Sequence, residues 1–421
     1  MRITKENEKI TITIVGAGNR GRVYIDSLNT FFTNKFEVKY LFEPKKENQD
    51  YFIQNYNVKK ENCYNGIKEF VLMPRLTDIV IISTLDTLHY EPCVYAIKQG
   101  YDILLEKPIA FTLEETLSLY KEAKQRNTFI GVCHTNRHSP FFIKIKEIID
   151  SKKLGKVIDI QHNENIGYYH FAHSYVRGNW RNTDIAAPSI VAKSCHDMDI
   201  LLFLLGKKCL RLSSFGSLNY FVHKNFKKNM AHKCFDCPKE INCPYSCIKI
   251  YGGELIKSVT FDKTSQETFK NSLFNSNYST CVFDSDNNVC DHQVTILEFE
   301  GGVHATFNMS AFTNKISRTI KVMCELGEIR GDGHLKVIEV LPFGGEKETI
   351  VLTKGTEGGH GGGDIGIMRG FINSYLGQES FDSPLDASIE GHVMAFLADV
   401  SRLKKGKVMN IQKAMKDALR D

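Results

Sequence analysis

The sequence of 421 residues has little of what marks a membrane, secreted or nucleic-acid-binding protein. It has no run of about 18 apolar residues, so no membrane-spanning helix is predicted. Its first residues, Met1–Asn7, lack the apolar segment of a secretory signal. The formal net charge is only +5, from 54 basic and 49 acidic side chains, too small to favour nucleic acid or an anionic membrane. We therefore expect a cytoplasmic protein that binds neither.

Cysteines are numerous, but their pattern does not favour disulfides. Twelve cysteines in a chain of this length without a signal predict reduced thiols or metal ligands. Cys234, Cys237, Cys243 and Cys247 lie within 14 residues. Four soft ligands at this spacing favour a tetrahedral structural metal, most simply Zn²⁺, in an insertion over about Phe221–Tyr251. An iron–sulfur cluster and four free thiols in a solvated loop are the alternatives.

A glycine-rich turn near the start of the chain predicts a dinucleotide site. The β-branched run Lys9–Val15 indicates a buried strand, and Gly21–Leu28 is typical of a helix. Between them stands the motif Gly16-Ala17-Gly18-Asn19-Arg20-Gly21. In this context the first glycine permits a tight turn, the second lets a pyrophosphate approach the backbone, and the helix supplies N–H groups. The alternative is a turn that merely requires glycine.

An acidic residue follows the second predicted strand. Phe36–Phe42 ends at Glu43, about 22 residues after Gly21. A carboxylate there accepts a hydrogen bond from the ribose and repels a 2′-phosphate, which favours NAD over NADP. Arg20 in the glycine turn can contact either form, so NADP stays possible. The alternative for Glu43 is a solvated loop acid.

Strands and helices continue to alternate up to residue 133. Further strands are predicted at Asp78–Ile82, Tyr101–Leu105 and Thr128–Cys133, and helices at Glu91–Gln99 and after the capping box at Thr112. This alternation predicts an α/β fold with a doubly wound parallel sheet. Such sheets bind ligands beyond the carboxyl ends of their strands. The polar residues found there are Ser83, Thr84 and His89 after one strand and Glu106 and Lys107 after the next.

Lys107 is the central candidate among these residues. It follows an apolar strand, and Pro108 holds it in an extended geometry. Lysine can be tuned by burial toward neutrality, so it can donate to, or take a proton from, a reacting hydroxyl. The alternative is a surface charge pair at the end of a strand.

The order of these motifs resembles the glucose–fructose oxidoreductase / inositol dehydrogenase / MocA family over essentially the whole chain. The resemblance implies a Rossmann domain over residues 1–135 and an α+β domain with a mostly antiparallel open sheet over 136–421, its last helices packing back on the first domain. It also implies a homo-oligomeric, NAD(P)-dependent dehydrogenase of sugars or polyols. The second half agrees by pattern, since strands follow one another without intervening helices. They are predicted at Lys156–His162, Asn288–Phe299, Gly302–Phe312, Arg318–Leu326 and Lys336–Leu341, with helices at Ile365–Leu376 and Ile389–Leu403.

The resemblance also implies a second catalytic group. The family pattern is an acid, a histidine four residues later and an acid three residues further. His196 and Asp199 match the last two places, but the first falls on Ala192. Lys193 or Asp197 could compensate, and Lys107 and His196 are predicted to handle the proton. The alternative is a helix-start histidine satisfied by Asp199.

Two further residues are candidate substrate contacts. Arg137 lies in a stretch that resembles the family's linker into the second domain. His360 stands among five glycines in the turn Gly358–Asp364, which indicates close approach of backbone and ligand. A flexible loop without a ligand is the alternative there. For the whole protein, a redox-neutral NAD-dependent glycosidase or lyase and a non-catalytic NAD-binding protein are the rival functions.

Overall fold

The computed structural model describes residues 9–253, 255, 256, 265–355 and 359–420. The stretch Met1–Asn7 and Gly358 of the glycine-dense turn lie outside the described residues. The described chain forms two β-sheets with helices packed against them. Within it, no helix combines the length and apolarity that crossing a membrane requires.

The first sheet is parallel and doubly wound. Its strands are β1 Ile10–Val15, β2 Phe36–Phe42, β3 Cys63–Tyr64, β4 Ile79–Ile82, β5 Asp102–Leu105 and β6 Ile130–Val132. Their spatial order is β3-β2-β1-β4-β5-β6, and every pair is parallel. The connecting helices are α1 Asn19–Phe31, α2 Lys46–Tyr56, α3 Ile67–Phe70, α4 Tyr90–Gln99 and α5 Leu113–Arg126. The strand order reverses between β1 and β4, which is where such sheets open a ligand crevice.

Local sequence explains the bounds of these elements. All four residues of β4 are buried and apolar, as a strand covered on both faces requires. Thr112 accepts from the Glu115 N–H and the Glu115 side chain accepts from the Thr112 N–H, which forms the predicted capping box of α5. Gly100 ends α4 in the left-handed conformation, with φ +73°.

The second sheet is mostly antiparallel. Its strands are β7 Val157–Asn165, β8 Cys209–Ser217, β9 His292–Phe299, β10 Val303–Ser310, β11 Ser317–Cys324, β12 Gly327–Asp332, β13 Val337–Pro342, β14 Glu348–Val351 and β15 Met409–Asn410. They lie in the order β14-β13-β12-β11-β7-β10-β9-β8-β15, and only β7 and β10 pair in parallel. The two sheets together confirm the predicted fold class.

The described second half of the chain also contains helices. They are α6 Pro140–Asp150, α7 Tyr168–Phe171, α8 Ser189–Ala192, α9 Cys195–Leu205, α10 Cys247–Gly252, α11 Gln266–Phe274, α12 Gly363–Tyr375, α13 Leu385–Leu403 and α14 Ile411–Arg420. Helix α13 contacts both α9 and β8, so one buried face of the sheet and the α9 segment share a core. A π-helical turn over 172–177 follows α7 directly.

Helix α12 packs on the first sheet's layer rather than on the second sheet. Its Ile367 and Phe371 are buried in the same core as Tyr24 and Leu28 of α1. The Phe371 ring also stacks on Phe129, with 5.5 Å between centroids. The late segment therefore completes the hydrophobic core of the first layer.

The sequence patterns missed several strands, and they also missed helices such as α6, α11 and α14. The patterns did not predict β3, β8, β12, β14 or β15, and α1 begins at Asn19 rather than Gly21. Strands β3 and β15 have two residues each, too few to show an alternation. Strand β8 has an irregular burial pattern and a register shift after Cys209.

Candidate active site

The glycine turn has the shape that a pyrophosphate requires. Gly16 has φ +87°, and a Cβ there would lie 2.6 Å from the Thr84 nitrogen, so only glycine fits. A Cβ on Gly21 would lie 2.8 Å from the Gly16 oxygen, whereas one on Gly18 would meet nothing within 4 Å. The backbone beside Gly18 is thus open to a ligand. Helix α1 begins at the exposed Asn19 with no side-chain cap, which leaves its first N–H groups for an anion.

Neighbouring side chains hold this turn in place. The Ser83 hydroxyl donates to the Gly16 carbonyl at 2.7 Å, which ties the turn to the end of β4. The buried Glu43 follows β2, and one of its carboxylate oxygens accepts from the Lys45 N–H at 2.9 Å. Its other oxygen has no hydrogen bond among the described residues and can accept from a ribose hydroxyl. These residues fit a dinucleotide.

Arg20 joins three separate parts of the chain. Its Nε donates to Glu106 at 2.7 Å and its Nη2 donates to Asp364 of α12 at 2.7 Å. Nη2 also donates to the Tyr24 hydroxyl, which in turn donates to Glu106. Burial acts to raise the pKa of Glu106, but the charges of Arg20 and then Lys107 outweigh it and lower that pKa. Glu106 is therefore ionised and fixes the base of the pocket beside Lys107.

Thr84 and His89 shape the loop after β4. The buried His89 ring lies between two carbonyls, with Nδ1 2.7 Å from the Pro108 oxygen and Nε2 3.2 Å from the Thr84 oxygen. The Thr84 hydroxyl donates to the Leu88 carbonyl at 3.2 Å. His89 thus connects the loop after β4 to the one after β5, which positions both Thr84 and Lys107.

A cavity of about 150 Å³ brings the two predicted catalytic residues together. Lys107 and His196 both line it, and Arg20, Glu106, Trp180 and His360 are among the other wall residues. We call this cavity the reaction pocket. The Lys107 ammonium donates to the Ala192 carbonyl at 2.8 Å. Ala192 stands where the family pattern has an acid, and it still orients the lysine through its backbone.

His196 is a buried imidazole without an acid partner. Both of its ring nitrogens are buried and make no hydrogen bond within the described part of the chain. Burial, then the charge of Lys107, lowers its pKa well below the usual value. The ring is therefore neutral at pH 7, and within the described residues no hydrogen bond occupies the lone pair of its unprotonated nitrogen. Its neighbours are the rings of His134 and His360, with centroids at 5.5 and 5.9 Å.

The two acids of α9 are bound elsewhere. Both oxygens of Asp199 accept from Arg137 at 2.6 Å, and Arg137 also donates to the carbonyls of Asp382 and Ala387. Asp197 accepts from His162 and from the Arg318 Nε, each at 2.8 Å. The idea that Asp199 satisfies His196 is therefore wrong. Arg137, predicted to contact substrate, is nearly fully buried in its pair with Asp199 and does not line the reaction pocket.

A larger cavity of about 480 Å³ adjoins the reaction pocket, and His360 lines both. We call it the outer cavity. Lys193 lines it, with its ammonium 3.6 Å from Glu164 of β7. His360 has φ +51°, and its Nδ1 lies 3.0 Å from the Asp364 carboxylate. The glycine-dense turn thus places one histidine between the two cavities.

The cysteine insertion does not bear out the predicted zinc site. Cys234, Cys237 and Cys243 line a small cavity with Arg177, and Cys247 begins α10 beside Cys234. Across the described residues, however, no three His, Cys, Asp or Glu side chains are arranged to hold a metal ion. The Cys234 sulfur instead accepts a hydrogen bond from the buried Arg177 guanidinium at 3.5 Å. All twelve cysteines are free thiols.

Sequence reasoning missed several residues of the site. Trp180, the chain's one tryptophan, lines the reaction pocket, and His134 follows β6 beneath His196. Glu164 and Arg318 form an ion pair of 2.7 Å between β7 and β11. One signal was available, because alternation along β7 puts Glu164 on the same face as the buried Ile160. A buried carboxylate requires a cationic partner.

Comparison with known proteins agrees with the geometry. Residues 10–134 match the model of an oxidoreductase family with an NAD-binding Rossmann fold, and residues 146–231 match the C-terminal alpha/beta domain of the same family. The putative oxidoreductase YteT of Bacillus subtilis is 27% identical over 318 residues, covering 72% of this chain and 73% of that protein. The chain spans 46% and 52% of the length of two further curated relatives.

Solved structures share the fold across nearly the whole chain. Levoglucosan dehydrogenase, in complex with NADH and levoglucosan, superposes with a TM-score of 0.71 at 15% identity, covering 96% of this chain and 100% of that one. An inositol dehydrogenase homologue of Azotobacter vinelandii, in complex with NADH and myo-inositol, gives 0.67 at 14% identity, covering 96% and 98%.

Proposed function

The chain belongs to the glucose–fructose oxidoreductase / inositol dehydrogenase / MocA family of NAD(P)-dependent oxidoreductases, and on that premise we propose that it oxidises a hydroxyl-bearing carbon of a sugar or polyol. One observation supports this most strongly: Lys107 and His196 line a single pocket that Arg20, from the glycine turn, also lines. A dinucleotide held at that turn would reach the pocket from the same side of the sheet.

The chain's own residues would handle the proton. The Lys107 ammonium, held by the Ala192 carbonyl, donates a hydrogen bond to the substrate oxygen and stabilises negative charge there. A free nitrogen of the neutral His196 takes the hydroxyl proton. NAD, when bound, supplies the acceptor for the hydride that leaves the same carbon. Proton and hydride thus leave separately, and a carbonyl forms.

We further propose that NAD is preferred over NADP. The support is the position of Glu43, which is buried at the end of β2 and keeps one carboxylate oxygen unused among the described residues. A 2′-phosphate beside this carboxylate would meet like charge.

A second candidate function is redox-neutral cleavage of a glycoside with NAD used transiently. The observation that favours it is that His196 has no carboxylate partner among the described residues, because Ala192 stands at that place and Asp199 is bound to Arg137. Such an enzyme releases a sugar without lasting formation of NADH, so the two functions differ in absorbance at the NADH band.

The test uses Lys107→Met with Lys144→Met as its control, since Lys144 is half-exposed in a surface pair with Glu147. NAD binding is followed by Trp180 fluorescence and turnover by NADH formation on a panel of sugars, polyols and glycosides. We expect Lys107→Met to keep NAD binding and lose roughly 10²–10⁴-fold in kcat. Full turnover in Lys107→Met on a verified substrate would contradict the role of this lysine.

A further inference from the structure

The outer cavity has a basic lining. Lys193, Arg318, His334, Lys336 and His360 are among its wall residues, and none of the described residues lining it is acidic. The neighbouring Asp332 is engaged, because one oxygen accepts from the Ser317 hydroxyl and from the backbone N–H groups of His334 and Leu335. The charged side chains that line the outer cavity are therefore all cations, namely Lys193, Arg318 and Lys336.

The acids that balance these cations lie behind the wall. Glu164 and Asp197 are both fully buried, and both pair with Arg318. Arg318 uses Nε and Nη2 for these contacts, and within the described chain its Nη1 takes part in no hydrogen bond. Arg318 is thus held rigidly from behind while one end of its guanidinium stays available.

Lys193 is only loosely paired. Its ammonium lies 3.6 Å from Glu164, beyond hydrogen-bond distance, and the side chain is 17% exposed. Burial lowers the pKa of this ammonium, although Glu164 acts to raise it. An anion in the outer cavity would restore the pKa and supply the missing hydrogen-bond partner.

Two residues relate the outer cavity to the reaction pocket. Lys193 lies three positions before His196, and His360 lines both spaces. A substrate whose reacting carbon sits between Lys107 and His196 therefore extends past His360 toward Lys193 and Arg318. Two donors, one ammonium and one guanidinium nitrogen, match the two oxygens of a carboxylate.

We propose that the substrate is an acidic sugar whose carboxylate is held by Lys193 and Arg318 in the outer cavity. The proposal rests on the proposed function, because it assumes that the reacting carbon lies in the reaction pocket. The proposal distinguishes a sugar acid from a neutral sugar. It also distinguishes a sugar acid from a sugar phosphate, whose charge has the same sign but a larger magnitude.

The experiment compares hexuronic acids with the parent hexoses and with hexose 6-phosphates. NADH formation gives kcat/KM, and calorimetric titration of the NAD-loaded protein gives binding without turnover. We expect hexuronic acids to exceed hexoses by roughly 10- to 100-fold in kcat/KM or affinity, as charged hydrogen bonds allow. In Lys193→Met this ratio should fall by about tenfold. In the control Lys321→Met, which removes a partly exposed lysine paired with Glu328, it should not change.

Each outcome decides one of the two proposals. Equal use and equal binding of hexose and hexuronic acid would overturn the acidic-sugar inference, as would a preference for the 6-phosphate. Selective binding of hexuronic acids without any NADH formation, lost in Lys193→Met, would support this inference and contradict the proposed dehydrogenase function.

Discussion

Replacing Arg137 with methionine should destabilise the protein rather than change its substrate binding alone. Arg137 makes four hydrogen bonds, two to Asp199 and one each to the carbonyls of Asp382 and Ala387. Methionine keeps much of the side-chain volume but leaves Asp199 as a buried charge without its partner. Breaking a buried pair in this way costs roughly 3–5 kcal/mol of unfolding free energy.

The loss of unfolding free energy in Arg137→Met should depend on pH in a predictable direction. Burial raises the pKa of Asp199, and Arg137 opposes that rise. In Arg137→Met the folded-state pKa therefore rises further above its unfolded value. Protonation of Asp199 then stabilises the folded variant, and this stabilisation is lost as pH rises through the folded-state pKa. The difference in stability from the wild type should be smaller at pH 5 than at pH 8.

Urea unfolding followed by circular dichroism and by the fluorescence of Trp180 measures this effect. The matched control is Arg330→Met, because Arg330 is 54% exposed and pairs with Glu328 at the surface. Such pairs contribute about 1 kcal/mol or less. If Arg137→Met shifts the unfolding midpoint no more than Arg330→Met does, the assignment of Arg137 to the core is refuted.

Three other predictions concern local features. Gly18→Ala should keep the Tm but weaken NAD binding, because its Cβ enters the open space beside the turn. Gly16→Ala should both lower the Tm and weaken NAD binding, because its Cβ would contact Thr84. Thermal unfolding and NAD titration measure these two effects. Thr112→Ala should cost about 1 kcal/mol in urea unfolding through loss of the α5 cap. Burial, then Arg137, lowers the pKa of His138 to about 4. Stability should therefore fall by about 3 kcal/mol from pH 6.5 to 4 through this group, and by less in His138→Asn.

The sequence predicted the nucleotide-binding half well because its signals are local. Strand, glycine turn and helix follow one another within residues 10–31, and β4 is a continuous apolar run. Parallel sheets of this type bring successive strand ends to one edge. The proximity of Ser83 to Gly16 follows from that rule, although the two residues are 67 positions apart.

The second half was less predictable because its contacts are long-range. Arg318 meets Asp197 across 121 positions, and nothing in the spacing of either residue indicates the other. The same limit explains Arg137, whose linker pattern suggested a ligand contact although the fold supplies Asp199 as its partner. The cysteines show the opposite failure, since their spacing is typical of a metal site but no three potential ligands are arranged to hold a metal among the described residues.

The packing of α12 on α1 has a consequence for how the protein is made. The first layer's hydrophobic core needs Ile367 and Phe371, which are translated roughly 240 residues after β6. At roughly 5–20 residues per second, the ribosome needs some tens of seconds to deliver them. Until then the nascent chain exposes an uncovered apolar face beside Tyr24 and Leu28, to which a chaperone can bind during this interval.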